Sequence, residues 1–242
     1  MSLITLKGND FSNKIEKPET KTFNLSPFNA VKTSQAIEVE IVKSTDEKAV
    51  VTSTHLSEVK IEVKNKILYI RYSSSISLQN ADTKVIVYAK DLVKAEAGNA
   101  STIKVKSIFE NSEQTFESNE GGKIYADSRA STVNIYTNSS GRFSGKINTK
   151  KLNIDANSAG MIKISGFADN AEINSDNASS LDAKNMNIQT AKVTARATSS
   201  IILSVSKELN ASASSLAKIR YKTLSGIKFS AKRDSGGTID ML

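Results

Sequence analysis

Hydrophobic and polar side chains alternate along most of this chain. Between Val31 and Ile41 the apolar residues Ile37, Val39 and Ile41 point one way, while Glu38 and Glu40 point the other. A period of two predicts half-buried β-strands. The same pattern predicts further strands at 49–52, 59–63, 67–72 and 85–88. The short turn at residues 65–66 predicts that two of these, 59–63 and 67–72, form a hairpin.

After residue 91 a longer repeat replaces the simple alternation. Its motif is a polar residue, two small residues, one variable residue and an apolar residue, as in the stretch Asn157–Ile162. The apolar position falls at Ile103, Ile124, Phe143, Ile162, Leu181, Ile202 and Leu216, with Val133 about half a step between two of them. Most steps measure 19 to 21 residues. A fixed period of this length is typical of solenoid proteins.

The repeat predicts an all-β fold, a single-stranded right-handed parallel β-helix, or β-solenoid. One rung cannot bury its inner face alone, so rungs stack at ~4.8 Å and place aliphatic side chains in columns. About seven such rungs form a rod of ~35 Å, and crossover connections between parallel strands favour the right hand. Helices are not predicted, because no segment after residue 23 shows apolar residues at a sustained i, i+3, i+4, i+7 spacing. A β-sandwich explains the first 90 residues but not the period.

The domain organisation follows from where these patterns begin. Residues 1–22 are polar and lack periodicity, which predicts a flexible N-terminal tail, with a first edge strand at its end. Residues 23–242 then form a single β-helix domain. Within it, residues 23–90 are a strand-rich and less regular N-terminal part that includes antiparallel strands, and residues 91–242 are the regular rungs.

Composition and net charge limit the chemistry and the binding partners that the chain can have. The chain has 242 residues, no cysteine and only 6% aromatic residues, so disulfides, thiolate zinc sites and cysteine nucleophiles are excluded. The net charge of +8 favours anionic partners such as acidic glycans, although scattered lysines also suit solvated strand faces. Nucleic-acid binding would need basic residues interleaved with exposed aromatics, and strand packing explains the one small cluster of this kind, Tyr69, Arg71 and Tyr72, better. No apolar stretch approaches the ~18 residues of a membrane span.

Candidate catalytic chemistry rests on a few residues. His55 is the single histidine, and its loop position predicts an ordinary surface side chain rather than a triad or zinc ligand. A minor alternative is polysaccharide chemistry by the acids Asp155, Glu172 and Asp176, with Arg142 as the base. Arg196 and Lys163 are further candidates for that base. The main interpretation has no catalytic residue, no cofactor and no metal, because the turns carry too few acids for calcium.

Several segments carry a resemblance to a known family. The stretch Phe28–Ile41 is a Phe, a strand, a small-residue turn and an alternating strand, and it resembles the opening of the auto-transporter adhesins with a head GIN domain. Residues 47–51, 59–63, 68–70 and 92–101 follow in the same order. The likeness covers about residues 23–242.

The resemblance implies a bacterial protein exported to the periplasm or the cell surface, often secreted or a lipoprotein. It also implies a parallel β-helix similar in shape to pectate lyases. The family has no established catalytic residues to carry over. A signal peptide and a lipid-attachment cysteine are not found in this sequence.

Three functional hypotheses remain open. The first is a non-enzymatic, extracytoplasmic adhesin-like module that binds an anionic polysaccharide, another glycan or a surface protein on a flat face of the β-helix. The second is a pectinase-like lyase or hydrolase on the same fold. The third is a structural scaffold of the cell envelope.

Overall fold

The computed structural model describes residues 17–73, 82–223 and 226–242. Apart from a 3-10 turn at Leu56–Glu58, the regular structure of this part of the chain is entirely β, which confirms the predicted fold class. The strands are β1 Glu19–Asn24, β2 Ala30–Thr33, β3 Glu38–Lys43, β4 Lys48–Ser53, β5 Val59–Lys64, β6 Ile67–Tyr72, β7 Thr83–Ala89, β8 Lys94–Ala97, β9 Thr102–Val105, β10 Glu113–Ser118, β11 Lys123–Tyr125, β12 Thr132–Thr137, β13 Arg142–Ala156, β14 Met161–Ser175, β15 Ser180–Ala195, β16 Ser200–Ala213, β17 Lys218–Lys222, β18 Lys228–Arg233 and β19 Thr238–Met241.

The strands stack as a β-solenoid of about seven turns, as the repeat predicts. Two parallel faces run along the rod and each rung contributes to both, while the middle parts of β13 to β15 between these faces also pair from rung to rung. The first face consists of β7, β3, β9, β11, the N-terminal halves of β13 to β16, β17 and β19. The second face consists of β6, β2, β8, β10, β12, the C-terminal halves of β13 to β16, and β18. These pairings are parallel, so equivalent residues of successive rungs lie side by side.

An apolar column fills the rod behind the first face. Its members, all buried, are Ile103, Ile124, Phe143, Ile162, Leu181, Ile201, Ile219 and Ile239. Burying each such side chain contributes about 1.5–3 kcal/mol. A second column behind the second face includes Val133, which explains its half-step position in the sequence.

Two predicted members of the column are wrong. Ile201, not Ile202, occupies the inward position, and Leu216 is 62% exposed. The cause is the turn: the residues with positive φ are Ala197 and Thr198 in one rung and Ser215 and Leu216 in the next. Small residues alone therefore do not mark the turn, because the backbone conformation sets the register.

The turns between rungs share one geometry. In the turn that begins at Asn157, Ser158 and Ala159 have φ of 48° and 62°, and the N–H of Gly160 donates to the Asn157 carbonyl at 2.9 Å. Two consecutive positive φ values with this bond define a type I′ turn. The N–H of Ala159 also donates to the carbonyl of Asn177 in the next rung at 2.9 Å. Equivalent rung-to-rung bonds start from Ala36, Ala100, Gly121, Ser140, Ala178, Thr198 and Leu216.

The N-terminal strands do not stack in chain order. Strand β2 lies between β6 and β8, and β3 lies between β7 and β9. The first rung of the chain is therefore the second level of the rod, and residues from β4 to β7 build the level beneath it.

Antiparallel strands cover the end beneath that level. Strand β4 pairs with β7, β1 pairs with β4, and β5 pairs with β6, all antiparallel, so the predicted hairpin of 59–63 and 67–72 is confirmed. Strand β1 runs across the predicted boundary between residues 22 and 23. Residues 1–16 of the predicted tail lie outside the described part of the chain.

The inward assignment of Ile162 predicts a specific loss of stability. Ile162 is 3% exposed, so Ile162→Asp places a carboxylate in the apolar column. We expect the free energy of unfolding to fall by at least about 3 kcal/mol. Met161→Asp is the matched control, because Met161 is 39% exposed on the outside of the same strand. Denaturant unfolding measures both, and similar curves for the two variants would contradict the assignment.

The close approach of neighbouring rungs predicts a loss of stability when Gly141 is replaced by a larger residue. A Cβ on Gly141 lies 1.9 Å from the carbonyl oxygen of Ser118 in the previous rung. Gly141→Ala is therefore expected to cost roughly 2–3 kcal/mol, because backbone must move. Gly98→Ala is the control, since its Cβ meets its nearest atom, the Thr33 carbonyl oxygen, at 4.0 Å. Thermal unfolding compares the two, and an unchanged melting temperature for Gly141→Ala would refute the close approach.

Candidate functional site

The two faces carry different charge. Cations exceed acids in the outward columns of the first face. The cations are Lys84, Lys104, Lys123, Arg142, Lys163, Lys218, Arg220 and Lys222, and the acids are Glu38, Glu40, Asp182 and Asp240. The first face is therefore the more basic of the two.

On the second face the charges nearly balance. Its cations are Lys32, Arg71, Lys94, Lys151, Lys192, Lys228 and Lys232, and its acids are Glu96, Glu113, Glu117, Asp155, Glu172 and Glu208. Many of them pair: Lys94 bridges Glu96 and Glu117, Lys192 pairs with Glu172, and Lys228 with Glu208. Many charges of the second face are therefore neutralised by ion pairs within that face.

Three neighbouring rungs of the first face form a patch without an acid. One outward column places Lys123, Arg142 and Met161 side by side, and the next places Tyr125, Ser144 and Lys163 side by side. We call these six residues the basic patch. Within the described residues, its three cations make no ion pair. Their charge remains available to a ligand.

The acidic residues that border the patch form hydrogen bonds or ion pairs with groups outside the patch. Glu38 accepts a hydrogen bond from Lys104 at 2.6 Å, and this bond raises the pKa of Lys104 above its ordinary value. The carboxylate of Asp127 accepts the backbone N–H of Lys146 at 2.7 Å. Asp182 pairs with Lys184 at 3.4 Å.

Two shallow grooves meet at the patch. One, of about 480 Å³, runs from Thr102 past Lys123 and Tyr125 to Ser144. The other, of about 350 Å³, continues from Ser144 past Arg142 and Lys163. Both grooves are lined in part by Ser144, so they lie next to each other along the rod.

The residues of the enzymatic alternative lie apart. Asp155 and Glu172 point outward on the second face, whereas Arg142 lies on the first. The carboxylate of Glu172 is paired with Lys192 at 3.0 Å. Asp176 lies in a turn, where its carboxylate accepts the backbone N–H of Asn177 at 2.8 Å. The structure brings the acids Asp155 and Glu172 onto one face and separates both from Arg142.

The remaining candidates also have separate positions. His55 contacts Thr54, with 3.0 Å between its Nδ1 and the hydroxyl oxygen, beside the 3-10 turn. Arg196 begins a turn between rungs, while Lys163 belongs to the basic patch. Within the described ranges, His, Asp and Glu residues form no group of three that could hold a metal ion. The described chain also contains no helix long and apolar enough to cross a membrane.

The basic patch was missed at the level of sequence. Its signal was nevertheless present: Lys123 and Arg142 are 19 residues apart, as are Tyr125, Ser144 and Lys163 in turn. Nineteen residues is the local length of a rung, so cations at that spacing fall on neighbouring strands. Scanning the outward positions with the repeat period would have found the patch.

Comparisons with solved structures show the same fold. A putative adhesin from Parabacteroides merdae ATCC 43184 is 17% identical and superposes with a TM-score of 0.85, covering 93% of this chain and 96% of that chain. A putative adhesin from Parabacteroides distasonis ATCC 8503 is 18% identical with a TM-score of 0.83, covering 94% and 98%. A protein of the same organism described as a putative lipid binding protein is 18% identical with a TM-score of 0.79, covering 93% and 97%.

Sequence comparison identifies the family. No curated protein matches the chain. A family profile described as "Putative auto-transporter adhesin, head GIN domain" matches residues 27–223, which is most of the chain. The matched region begins just before β2 and includes the regular rungs through β17. The chain therefore belongs to the putative auto-transporter adhesin family with a head GIN domain.

Proposed function

We propose that this protein is a non-enzymatic, extracytoplasmic adhesin-like module of a bacterial cell envelope. Residues 23–242 act as one binding domain, and its first face binds an anionic glycan or protein surface. The basic patch carries the proposal, because Lys123, Arg142 and Lys163 lack ion-pair partners among the described residues while the second face is largely neutralised. Family membership supports a role in binding.

The fold suits attachment to an extended partner. Strands one rung apart are fixed by parallel hydrogen bonds, so the cations hold a regular spacing without needing a ligand to order them. A preordered surface reduces the entropy cost of binding. Clustered positive charge also raises the rate at which an anionic partner associates, and salt screens this effect.

Charge reversal on the first face tests the function. We expect Lys123→Glu combined with Arg142→Glu to weaken binding to immobilised polygalacturonate or heparin at low salt by at least about tenfold. Biolayer interferometry measures the affinity at two salt concentrations. Thermal unfolding checks that both proteins remain folded.

Lys151→Glu combined with Lys232→Glu is the matched control. Both lysines are exposed on the second face and form no ion pair among the described residues, so their replacement breaks no ion pair. Each double variant replaces two cations by two acids, so the net charge changes equally. We expect this variant to bind within about twofold of the unaltered protein. Equal losses for both double variants, or no loss for the first-face variant, would reject the first face as the binding surface.

A further inference from the structure

The basic patch also contains an exposed aromatic ring, that of Tyr125. Its side chain is 46% exposed on the first face, between the neighbours Lys104 and Ser144 of its column. None of the ring contacts among the described residues involves Tyr125. An exposed aromatic ring without a partner offers an apolar surface for stacking.

The cations surround this ring at the spacing of the rungs. Lys123 precedes Tyr125 by two positions on β11, and Arg142 lies beside Lys123 on β13. Lys163 lies one rung beyond Ser144 in the column of Tyr125. Successive rungs are ~4.8 Å apart, and positions two apart on one strand are roughly 6.6 Å apart.

The patch therefore combines a stacking surface with positive charge on two sides of it. A ligand that fits must carry an apolar ring face and regularly spaced anionic groups. A uronic-acid sugar has both: the axial C–H groups of its pyranose ring stack on aromatic side chains, and its carboxylate pairs with Lys or forms bidentate bonds with Arg. Met161, 39% exposed beside Arg142 and two rungs from Tyr125, adds a second apolar contact surface to the patch.

We propose that the basic patch is a subsite for a linear polyuronate. One sugar stacks on Tyr125, and carboxylates of that sugar and its neighbours bind Lys123, Arg142 and Lys163. This inference rests on the proposed function, since it specifies the ligand of the same face.

The shape of the site sets the direction of the chain. Each groove crosses several rungs and the two are adjacent at Ser144, so in this proposal the polysaccharide lies along the rod and not along a strand. Each rung advances this path by ~4.8 Å, a distance comparable to the length of one pyranose residue. A single aromatic ring favours a sugar over a nucleic acid, which stacks successive bases on several rings.

Tyr125→Ala tests the stacking contact. With a galacturonate hexasaccharide as the probe, we expect its affinity to fall about five- to tenfold in calorimetry, because the sugar loses its stacking surface. Tyr125→Phe should bind within about twofold, since the ring remains. Tyr136→Ala is the matched control: Tyr136 is 41% exposed on the second face, and its loss should leave the affinity unchanged.

Three probes separate this inference from the proposed function. The carboxyl-reduced hexasaccharide should bind at least tenfold more weakly than the galacturonate, and polyglutamate, which has no sugar ring, should be insensitive to Tyr125→Ala. If Tyr125→Ala leaves galacturonate binding intact while charge reversal abolishes it, the polyuronate subsite is refuted and the anionic binding face stands. A sulfated hexasaccharide that binds more tightly than the galacturonate would also overturn it. If charge reversal has no effect either, both proposals fail.

Discussion

Parallel hydrogen bonding between successive rungs is the constraint on which the rest of this structure depends. It fixes each residue beside its equivalents above and below, so that Phe143 lies between Ile124 and Ile162 and the turn carbonyls accept bonds from neighbouring turns. The apolar columns and the outward rows of charge both follow from this register. A local shift of register between β15 and β16, at Lys184–Met186, lies in the segment that joins the two faces.

Much of the fold could be predicted because the repeat imposes its period on the sequence. Inward positions at Ile103, Phe143 and Leu181 were recognisable from alternation and spacing. The register of the later rungs was not, since Ile201 and Ile219 depend on which residues adopt positive φ. Serine and alanine are small wherever they occur, so size alone leaves the turn position open by one to three residues.

The order of the N-terminal strands and the position of the candidate site could not be predicted from the sequence, because both depend on which strands lie next to each other in three dimensions. Alternation predicts strands β2 to β7, but it says nothing about β2 entering between β6 and β8. The same holds for function: the sequence groups Arg142 with Asp155 and Glu172 as charged residues of the repeat, but it does not say which face each one occupies. The register instead places Arg142 beside Lys123, on a different surface from those acids.

The covered end of the rod has a consequence for how the molecule assembles. Residues from β1 to β7 contain the antiparallel strands and the lowest level, and they are synthesised before any regular rung. Once these strands have folded, each later rung can pair with the exposed strand edge of the rung before it. Because each rung contacts only its neighbours, every completed layer can then serve as the template for the next.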